Sequence, residues 1–340
     1  MDKIICFGEI MMRLNPEGYL RFLQAGRYEA SFAGGEANVA VSLAHFGRMP
    51  AYVTKLPSND IGQCAVNELR HYGVDTSLIV RGGPRVGIYF VEKGASQRGS
   101  KVIYDRAGSA VALAARGDFH WETILDGVSW FHFTGITPAL GGELPAICLD
   151  ALECCKAKGV KVSCDLNYRG KLWTREKARE VMSGLVPYVD VCIANEEDAA
   201  DVFGIHAADS DVQGGVIHRE GYLSVAKQLQ ERFGCPAVAI TLRGSISAND
   251  NDWAGMLFTG GKAYYSKSYR IHIVDRVGGG DAFGGGLIHA LLNGWDAQEA
   301  IEFAVAASCL KQTVEHDFNM ATEQEVLALA GGNASGRVQR

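Results

Sequence analysis

Three apolar runs decide the fold of this 340-residue chain: SWFHFT at residues 129–134, VKVSCD at 160–165 and VDVCIA at 189–194. Each run has the length of a buried strand, and the stretches between them, residues 143–157 and 175–185, have the periodicity of helices. Strands that alternate with helices require crossover connections, which build a parallel sheet with helices on both faces. The sequence therefore predicts an α/β fold with a doubly wound, mostly parallel sheet.

The same alternation continues on both sides of this region. Further strands are predicted at residues 3–10, 50–56 and 237–242, and further helices at 61–72, 196–203, 222–233, 282–293 and 297–314. Neither an internal repeat nor a linker divides the chain. We therefore predict a single domain over residues 1–330 and a C-terminal tail over residues 331–340.

A small β-strand lid is predicted to extend from this domain. Residues 86–93 and 101–105 have the composition of strands and flank a polar turn, which predicts a hairpin. The lid is discontinuous in sequence, with one part near residues 13–33 and the other near residues 86–106. Exposed strand edges are natural pairing surfaces, so we expect a homo-oligomer that forms through the lid.

Composition excludes several classes of partner. Apolar residues make up 47% of the chain and charged residues 21%, which indicates a large buried core. The net charge of -6 argues against nucleic acid, which requires a basic surface. No run of about 18 apolar residues exists, so no membrane partner is expected. Nine cysteines without a C-x-x-C pair indicate reduced thiols in a cytoplasmic protein.

The segment Asp275-Arg-Val-Gly-Gly-Gly-Asp281 is the strongest chemical signal. Three glycines lead into a predicted helix, where free N–H groups and the helix dipole attract an anion. A carboxylate beside such a site is useful if it accepts a proton from an attacking hydroxyl group. The alternative is a packing loop in which Asp281 caps the helix. The chain contains neither G-x-x-x-x-G-K-[ST] nor G-x-G-x-x-G after a strand, which argues against P-loop and dinucleotide sites.

A second glycine-rich segment lies near the beginning of the chain. In Gly34-Gly35-Glu-Ala-Asn38-Val-Ala, the two glycines precede a helix and let a ligand approach the backbone. Asn38, one turn into that helix, is able to bind a sugar hydroxyl group. Alternatively, Asn38 is a local helix cap.

Together these segments resemble the two signatures of the ribokinase-like (PfkB) carbohydrate kinases, G-G-x-x-x-N-x-A and D-T-x-G-A-G-D. The resemblance covers essentially the whole chain, with Arg276 in place of threonine and Gly279 in place of alanine. It implies that Asp281 is the general base and that Gly278, Gly279 and Gly280 hold the transferred phosphoryl group. It also implies substrate contacts from Gly34, Gly35 and Asn38.

The resemblance implies ATP and Mg²⁺ as cofactors and leaves a monovalent cation as a further candidate. Asn195 and Asp198 resemble the N-x-x-E motif associated with magnesium and phosphates, although Asp198 is one methylene shorter than glutamate. An acidic first helical turn that complements the helix dipole is the alternative. Nucleotide contacts are implied for one further set of residues: Asn167, Asn195, Thr241, Arg243 and Gly244. The segment Thr241–Gly244 is expected to be a turn that follows a strand.

Within that family, the chain resembles the branch that acts on 2-keto-3-deoxygluconate. Arginine suits the carboxylate of an acid sugar. By resemblance the substrate contacts include Tyr89, Tyr104, Arg106 and Arg169, with Asp317 a weaker candidate. The alternatives are an exposed hairpin end for Tyr104 and Arg106 and a surface salt bridge for Arg169.

The implied reaction transfers a phosphoryl group from ATP to the C6 hydroxyl of 2-dehydro-3-deoxy-D-gluconate. A fructokinase or ribokinase that acts on neutral sugars is the nearest rival. A catalytically silent sugar-binding regulator and a nicotinamide oxidoreductase are rivals of other classes. The glycine run with its carboxylate argues against the regulator, and the missing dinucleotide motif argues against the oxidoreductase.

Overall fold

The structure is a computed structural model that describes residues 2–206 and 219–333. Its strands are β1 (Lys3–Phe7), β2 (Met11–Asn15), β3 (Glu29–Ala33), β4 (Met49–Val53), β5 (Lys55–Leu56), β6 (Val80–Arg81), β7 (Gly87–Glu92), β8 (Lys101–Asp105), β9 (Val128–Thr134), β10 (Lys161–Asp165), β11 (Val191–Ala194), β12 (Ala237–Ser245), β13 (Asp250–Thr259), β14 (Lys262–Tyr265) and β15 (Tyr269–His272). Its helices are α1 (Gly35–His45), α2 (Asp60–His71), α3 (Trp121–Ile124), α4 (Ile136–Ala139), α5 (Leu144–Lys158), α6 (Arg175–Leu185), α7 (Glu196–Phe203), α8 (Arg219–Phe233), α9 (Gly279–Leu292), α10 (Ala297–Lys311) and α11 (Glu323–Ala330).

The large sheet has the strand order β14-β13-β12-β11-β10-β9-β1-β4, and β15 also pairs with β13. The strands from β12 to β4 run parallel, and Ile5 at the centre pairs with Ala51 on one side and Phe131 on the other. Apolar residues cover both faces of the sheet and form two buried clusters with the helices. The predicted fold class is confirmed.

The antiparallel edge of the large sheet was not predicted from the sequence. Strand β13 pairs antiparallel with β12, β14 and β15. The prediction that Thr241–Gly244 forms a turn is wrong, because β12 continues through these residues to Ser245. The pairing with β13 explains the extension: Thr241 is opposite Gly255, and Ser245 is opposite Asn251.

A second, smaller sheet has the order β3-β2-β7-β8. Strand β2 pairs antiparallel with β3 and parallel with β7, and β7 forms the predicted hairpin with β8. Its strands come from two separate parts of the sequence, the first at residues 11–33 and the second at residues 87–105. Strand β8 is exposed along most of its length and forms one edge.

Polar caps fix where several helices begin. Thr174 and Asn195 accept hydrogen bonds from backbone N–H groups at the beginning of α6 and α7. Thr322 and Glu325 form a capping box at the beginning of α11. Helix α9 begins at Gly279, three residues earlier than predicted. Within the described ranges, no helix is long and apolar enough to cross a membrane, and the tail from residue 334 onward lies outside them.

All nine cysteines are free thiols. Eight of them are buried, and Cys64 on α2 is exposed. Burial raises the pKa of the Cys148 and Cys164 thiols well above the usual range. These buried thiols are therefore protonated and pack as small apolar side chains.

Candidate active site

A cleft of about 380 Å³ opens where the parallel strands end and the small sheet begins. The segments that follow β1, β10 and β11 contribute Glu9, Asn167 and Asn195 to its wall. Ligands bind at this edge of doubly wound sheets because the strand ends and helix N-termini converge there. The following predicted residues line the cleft: Gly34, Gly35, Asn38, Tyr89, Tyr104, Arg106, Asn167, Arg169, Asn195, Asp198, Thr241, Arg243, Gly278, Gly279, Gly280, Asp281 and Asp317. Gly244 does not line the cleft and lies against Asp252 in the strand pair.

The glycine run forms the N-terminus of α9. Gly278 is the N-cap residue and has a φ of 84°, a left-handed conformation that favours glycine. A Cβ atom at this position would also overlap with the backbone carbonyl of Asp317. Within the described ranges, no hydrogen bond uses the N–H groups of Gly280 and Asp281. These free donors and the helix dipole form an anion-binding loop.

Asp281 lies in the first turn of α9 and faces the cleft. Its Oδ2 atom accepts a 2.6 Å hydrogen bond from Nδ2 of Asn38, which joins the two glycine-rich motifs. The pKa of Asp281 is raised to about 7, chiefly by burial and with smaller contributions from the carboxylates of Asp317 and Glu36, while the hydrogen bond from Asn38 and the charge of Arg169 oppose the increase. A carboxylate with a pKa near neutrality is suited to general-base catalysis. Asp281 does not cap the helix, since Gly278 holds that position.

Gly34 and Gly35, at the beginning of α1, are suited to their positions for different structural reasons. A Cβ atom at Gly34 would overlap with the backbone carbonyl of Glu9, so the close packing of two chain segments requires glycine there. Gly35 faces the cleft, and a Cβ atom there would lie 3.5 Å from Oδ1 of Asp281. Asn38 is not a simple cap: it accepts from the N–H of Gly34 at 3.4 Å and donates to Asp281.

Glu36, a buried acid behind Asn38, was missed by the sequence analysis. Its Oε1 atom accepts hydrogen bonds from Thr134 at 2.7 Å and Thr137 at 2.6 Å. Burial raises the pKa of Glu36 above its usual range, and these hydroxyl groups oppose the increase. An acidic residue inside the apolar pattern of α1 was the available signal.

Several carboxyl groups meet on the other side of the cleft. Burial raises the pKa of Asp165 well above its usual range, and Asp198 and Asp281 raise it further, while Arg169 opposes them. Burial also raises the pKa of Asp198 to about 6. Such a cluster of acids favours a bound cation. Within the described part of the chain, no three His, Cys, Asp or Glu side chains form a complete metal site.

Asn195 and Asp198 take part in the local structure of α7. Oδ1 of Asn195 accepts from the N–H groups of Glu197 and Asp198, both at 2.8 Å, and Asp198 accepts from the N–H of Asn195 in return. Oδ1 of Asp198 also accepts from the N–H of Tyr168 at 2.9 Å. The predicted acidic first turn is therefore present, and both side chains also line the cleft.

Asn167 has a conformation that is uncommon outside glycine. Its φ is 40°, in the left-handed region. Its Oδ1 atom is buried and has no hydrogen-bond partner among the described residues. Strained residues with unsatisfied polar atoms concentrate at ligand-binding sites, so this atom is a candidate ligand contact.

Arg243 and Arg276 supply positive charge beside the anion-binding loop. Neither guanidinium group has a carboxylate partner among the described residues, although Arg276 donates to the carbonyl oxygen of Ala248 at 3.0 Å. Burial lowers the pKa of Arg276, and the neighbouring Arg243 lowers it further. Two adjacent arginines without acidic partners form a site for an anion such as a phosphate.

Residues of the small sheet close the opposite wall of the cleft. Tyr89 and Tyr104 stack across β7 and β8 with ring centroids 6.1 Å apart. Arg106 lies over the Tyr104 ring at 5.3 Å and is ion-paired with the buried Glu9, which also accepts from Ser109 at 2.6 Å. Arg106 is therefore not an exposed hairpin end. Glu9, whose charge offsets that of Arg106, was not predicted from the sequence.

A buried ion-pair network connects the small sheet to the anion-binding loop. Arg13 of β2 is fully buried and is paired with Asp317 and, at 2.5 Å, with Asp275. Asp317 also accepts from the hydroxyl group of Tyr89 at 2.8 Å. Both oxygens of Asp317 are thus in use within the protein. Arg13 and Asp275 were not predicted, and the signal was an arginine within the apolar run of β2.

Arg169 contrasts with these paired cations. Its side chain is exposed, and its Nη1 atom donates to the carbonyl oxygen of Tyr168 at 2.8 Å. It forms no salt bridge with a carboxylate among residues 2–206 and 219–333, although it lies near enough to Asp165 and Asp281 to oppose the rise in their pKa. The surface salt bridge considered as its alternative role is therefore not seen, and the guanidinium group is available to a ligand.

Comparison with known proteins gives consistent matches along the chain. A model described as pfkB family carbohydrate kinase matches residues 1–320. The 2-dehydro-3-deoxygalactonokinase of Haloferax volcanii is 34% identical over 333 residues, which is 98% of either chain. The 2-dehydro-3-deoxygluconokinase of Thermoproteus tenax is 27% identical, over 93% of this chain and 90% of its own. The crystal structure of 2-dehydro-3-deoxygluconokinase from Thermotoga maritima is 51% identical, with a TM-score of 0.94, and covers 98% of this chain and 100% of its own.

Proposed function

The chain belongs to the pfkB family of carbohydrate kinases, and on this premise we propose that it phosphorylates 2-dehydro-3-deoxy-D-gluconate at C6 with ATP. The observation that carries the proposal is Asp281, which combines a pKa of about 7 with a position beside the free N–H groups of the anion-binding loop. A base and an anion site at one helix terminus are the two elements that phosphoryl transfer to a hydroxyl group requires. The names of similar proteins support the choice of sugar.

In the proposed reaction, Asp281 accepts the proton of the C6 hydroxyl group. The hydroxyl oxygen forms a bond with the γ-phosphorus of ATP, and the bond from that phosphorus to the bridging oxygen of ADP breaks. The N–H groups of Gly280 and Asp281 stabilise the negative charge on the transferred group. Asn38 orients the carboxylate of Asp281 through the 2.6 Å hydrogen bond.

The acids near α7 fit a magnesium ion that retains most of its water. Oδ1 of Asn195 already accepts two hydrogen bonds, and each oxygen of Asp198 accepts one. Asp198 would hold the ion directly and Asn195 through water, which is compatible with the preference of Mg²⁺ for few protein ligands. When bound, the ion neutralises charge on the phosphates of ATP. We assign the contacts of those phosphates to Arg243, with Thr241 and Asn167 lining the same cleft.

The carboxylate of the acid sugar is assigned first to Arg169. This guanidinium group forms no salt bridge among the described residues, although the carboxyl groups of Asp165 and Asp281 lie nearby. The charge of Arg106, by contrast, is balanced by its ion pair with Glu9. Arg106, Tyr89 and Tyr104 then shape the pocket of the substrate from the side of the small sheet. A planar guanidinium group recognises a carboxylate through two parallel hydrogen bonds, which a neutral sugar does not offer.

We infer that the small sheet acts as a lid over the substrate and excludes water during transfer. We also infer a homo-oligomer that forms through this sheet, because the edge strand β8 leaves its backbone groups unpaired on one side. Light scattering tests the oligomer, and a monomeric mass would contradict it. Free buried thiols support a cytoplasmic setting.

ADP release tests the proposed reaction. With Mg·ATP, we expect turnover of 2-dehydro-3-deoxy-D-gluconate or its C4 epimer, and little turnover of fructose, ribose or gluconate. Arg169→Gln is expected to raise the KM for the keto acid by roughly 10- to 100-fold, because a charge-assisted hydrogen bond contributes about 1.5–3 kcal/mol. Lys171→Gln, an exposed cation two residues further along, is the matched control and should leave KM unchanged.

Any other result of the ADP-release assay would contradict a specific part of the proposal. Strong turnover of fructose or ribose that is insensitive to Arg169→Gln would retain the kinase and replace the acid sugar by a neutral sugar. Absence of ADP release with every sugar would refute phosphotransfer by this chain and favour a sugar-binding regulator.

A further inference from the structure

A fully buried lysine lies beneath the anion-binding loop. Lys311 is the last residue of α10, and its side chain has no exposed surface. Its ammonium group donates to the backbone carbonyl oxygens of Asp275 at 3.0 Å and His316 at 2.5 Å. Burial of an ammonium group is costly unless its charge is balanced and its hydrogens are bonded. The reaction described above does not use this group.

The two carbonyl groups belong to the two segments that build the anion-binding loop. Asp275 begins the segment that leads into Gly278, and His316 precedes Asp317, whose carbonyl oxygen contacts the position of Gly278. His316 has a φ of 61°, a strained conformation for a residue other than glycine. Lys311 therefore joins both segments and stabilises the strained one.

The charges around Lys311 depend on its ammonium group. Two cations, Arg13 and Lys311, balance two buried acids, Asp275 and Asp317. Burial lowers the pKa of Lys311 and Arg13 lowers it further, whereas Asp275, Asp317 and the more distant Asp281 raise it. Loss of the ammonium charge would leave a net negative charge directly beneath a loop that must bind an anion. That charge would oppose the binding of a phosphoryl group.

We propose that the ammonium group of Lys311 is a built-in monovalent cation that holds the anion-binding loop in its active shape, so that catalysis needs no dissolved potassium or sodium ion at this position. Backbone carbonyl oxygens are the ligands that proteins offer to K⁺, and here the lysine already occupies them. A dissolved monovalent cation therefore does not fit this position. The inference rests on the proposed phosphotransfer, and it removes one of the cofactors that the family resemblance left open.

Salt-exchange kinetics test the proposal. The wild-type protein is assayed with Mg·ATP in choline chloride, NaCl or KCl at equal ionic strength, and ADP is quantified by chromatography so that no coupling enzyme responds to the salt. Wild-type rates should agree within about twofold across the salts, since general screening is held constant. In Lys311→Met, kcat in choline chloride should fall by about 100-fold, the order expected when a catalytic loop is misplaced. KCl or NH₄Cl should restore most of the loss.

A second variant and a second measurement keep the test decisive. Lys311→Gln retains a hydrogen-bond donor but not the charge, and it should also need potassium for activity. Thermal unfolding midpoints of both variants should rise in KCl relative to choline chloride, while the wild-type midpoint should not. Lys227→Met, which removes an exposed cation on α8, should behave like the wild type in every salt.

Three results would overturn the proposal. The first is wild-type activity that increases with potassium, and it remains decisive if neither variant folds. The second is full activity of Lys311→Gln in choline chloride, which would show that hydrogen bonding suffices. The third is a folded variant that stays inactive in KCl and whose thermal unfolding midpoint does not rise there. If the wild type phosphorylates no sugar, the proposed function fails, and the unfolding midpoints still decide this inference.

Discussion

Replacement of Asn38 by alanine should shift the pH dependence of catalysis. Asn38 stabilises the ionised form of Asp281 through a 2.6 Å hydrogen bond, and burial holds the pKa of Asp281 at about 7 despite that bond. A hydrogen bond to a charged group contributes about 1.5–3 kcal/mol, and about 1.4 kcal/mol corresponds to one pKa unit. Loss of this bond should therefore raise the pKa of Asp281 by about one to two units, to about 8 or 9.

The direction in which activity changes with pH follows from the role of Asp281 as a base. Only the ionised carboxylate accepts the proton, so activity declines as the pH falls through the pKa. At pH 7 the ionised fraction of Asp281 should fall from about one half to about 1–10%, which reduces kcat/KM by roughly 5- to 50-fold. The deficit should shrink as the pH rises above the new pKa.

The measurement is kcat/KM of the wild type and Asn38→Ala from pH 5.5 to 10, because the acidic limb of this profile reports the free enzyme. Ser42→Ala is the control: its hydroxyl group lies one turn further along α1 and donates to the carbonyl oxygen of Asn38, not to Asp281. An acidic limb that stays near pH 7 in Asn38→Ala would refute the assignment of that limb to Asp281. A pH-independent rise in KM alone would assign Asn38 to substrate binding instead.

Three further experiments have defined outcomes. Asp281→Asn preserves the shape of the side chain and should lower kcat by about 10²- to 10⁴-fold without lowering the thermal unfolding midpoint. If this variant were as active as the wild type, Asp281 would not be the base. Gly278→Ala should lose at least about 1 kcal/mol of unfolding free energy in urea, because its left-handed backbone and close packing exclude a methyl group, whereas Gly280→Ala has open space for a Cβ atom and should not. Arg106→Met should lower the free energy of unfolding in urea by about 3–5 kcal/mol, because it leaves Glu9 buried without its ion-pair partner. Adding Glu9→Gln to this variant should recover part of the loss. An unchanged unfolding midpoint in Arg106→Met would contradict the buried ion pair.

Much of the fold could be predicted because its signals are local. The predicted limits of α6 and α7 agree with the structure, since Thr174 and Asn195 cap these helices with their own side chains. The parallel strands could be recognised because they are buried on both faces and therefore continuously apolar. The anion-binding loop could also be recognised, because consecutive residues form it and its signal is therefore local.

The antiparallel edge was missed because its pairing is not local. Nothing in Arg243 and Gly244 predicts that the strand continues past Leu242, because β13 supplies the partner hydrogen bonds. The ion pairs of the site are more distant still. Arg13 and Asp317 are 304 residues apart in sequence, and Glu9 and Arg106 are 97 apart. A sequence pattern shows that such charges exist, but only folding determines which acid neutralises which base.

The distribution of cysteines makes the protein convenient for spectroscopy. A thiol reagent reacts with exposed thiolates, and eight of the nine sulfur atoms are buried inside the fold. A maleimide dye or spin label should therefore attach to Cys64 in the native protein without prior removal of any cysteine. The wild-type sequence thus provides one defined attachment point on α2, from which a fluorophore could report the rotational diffusion, and hence the size, of the particle in solution.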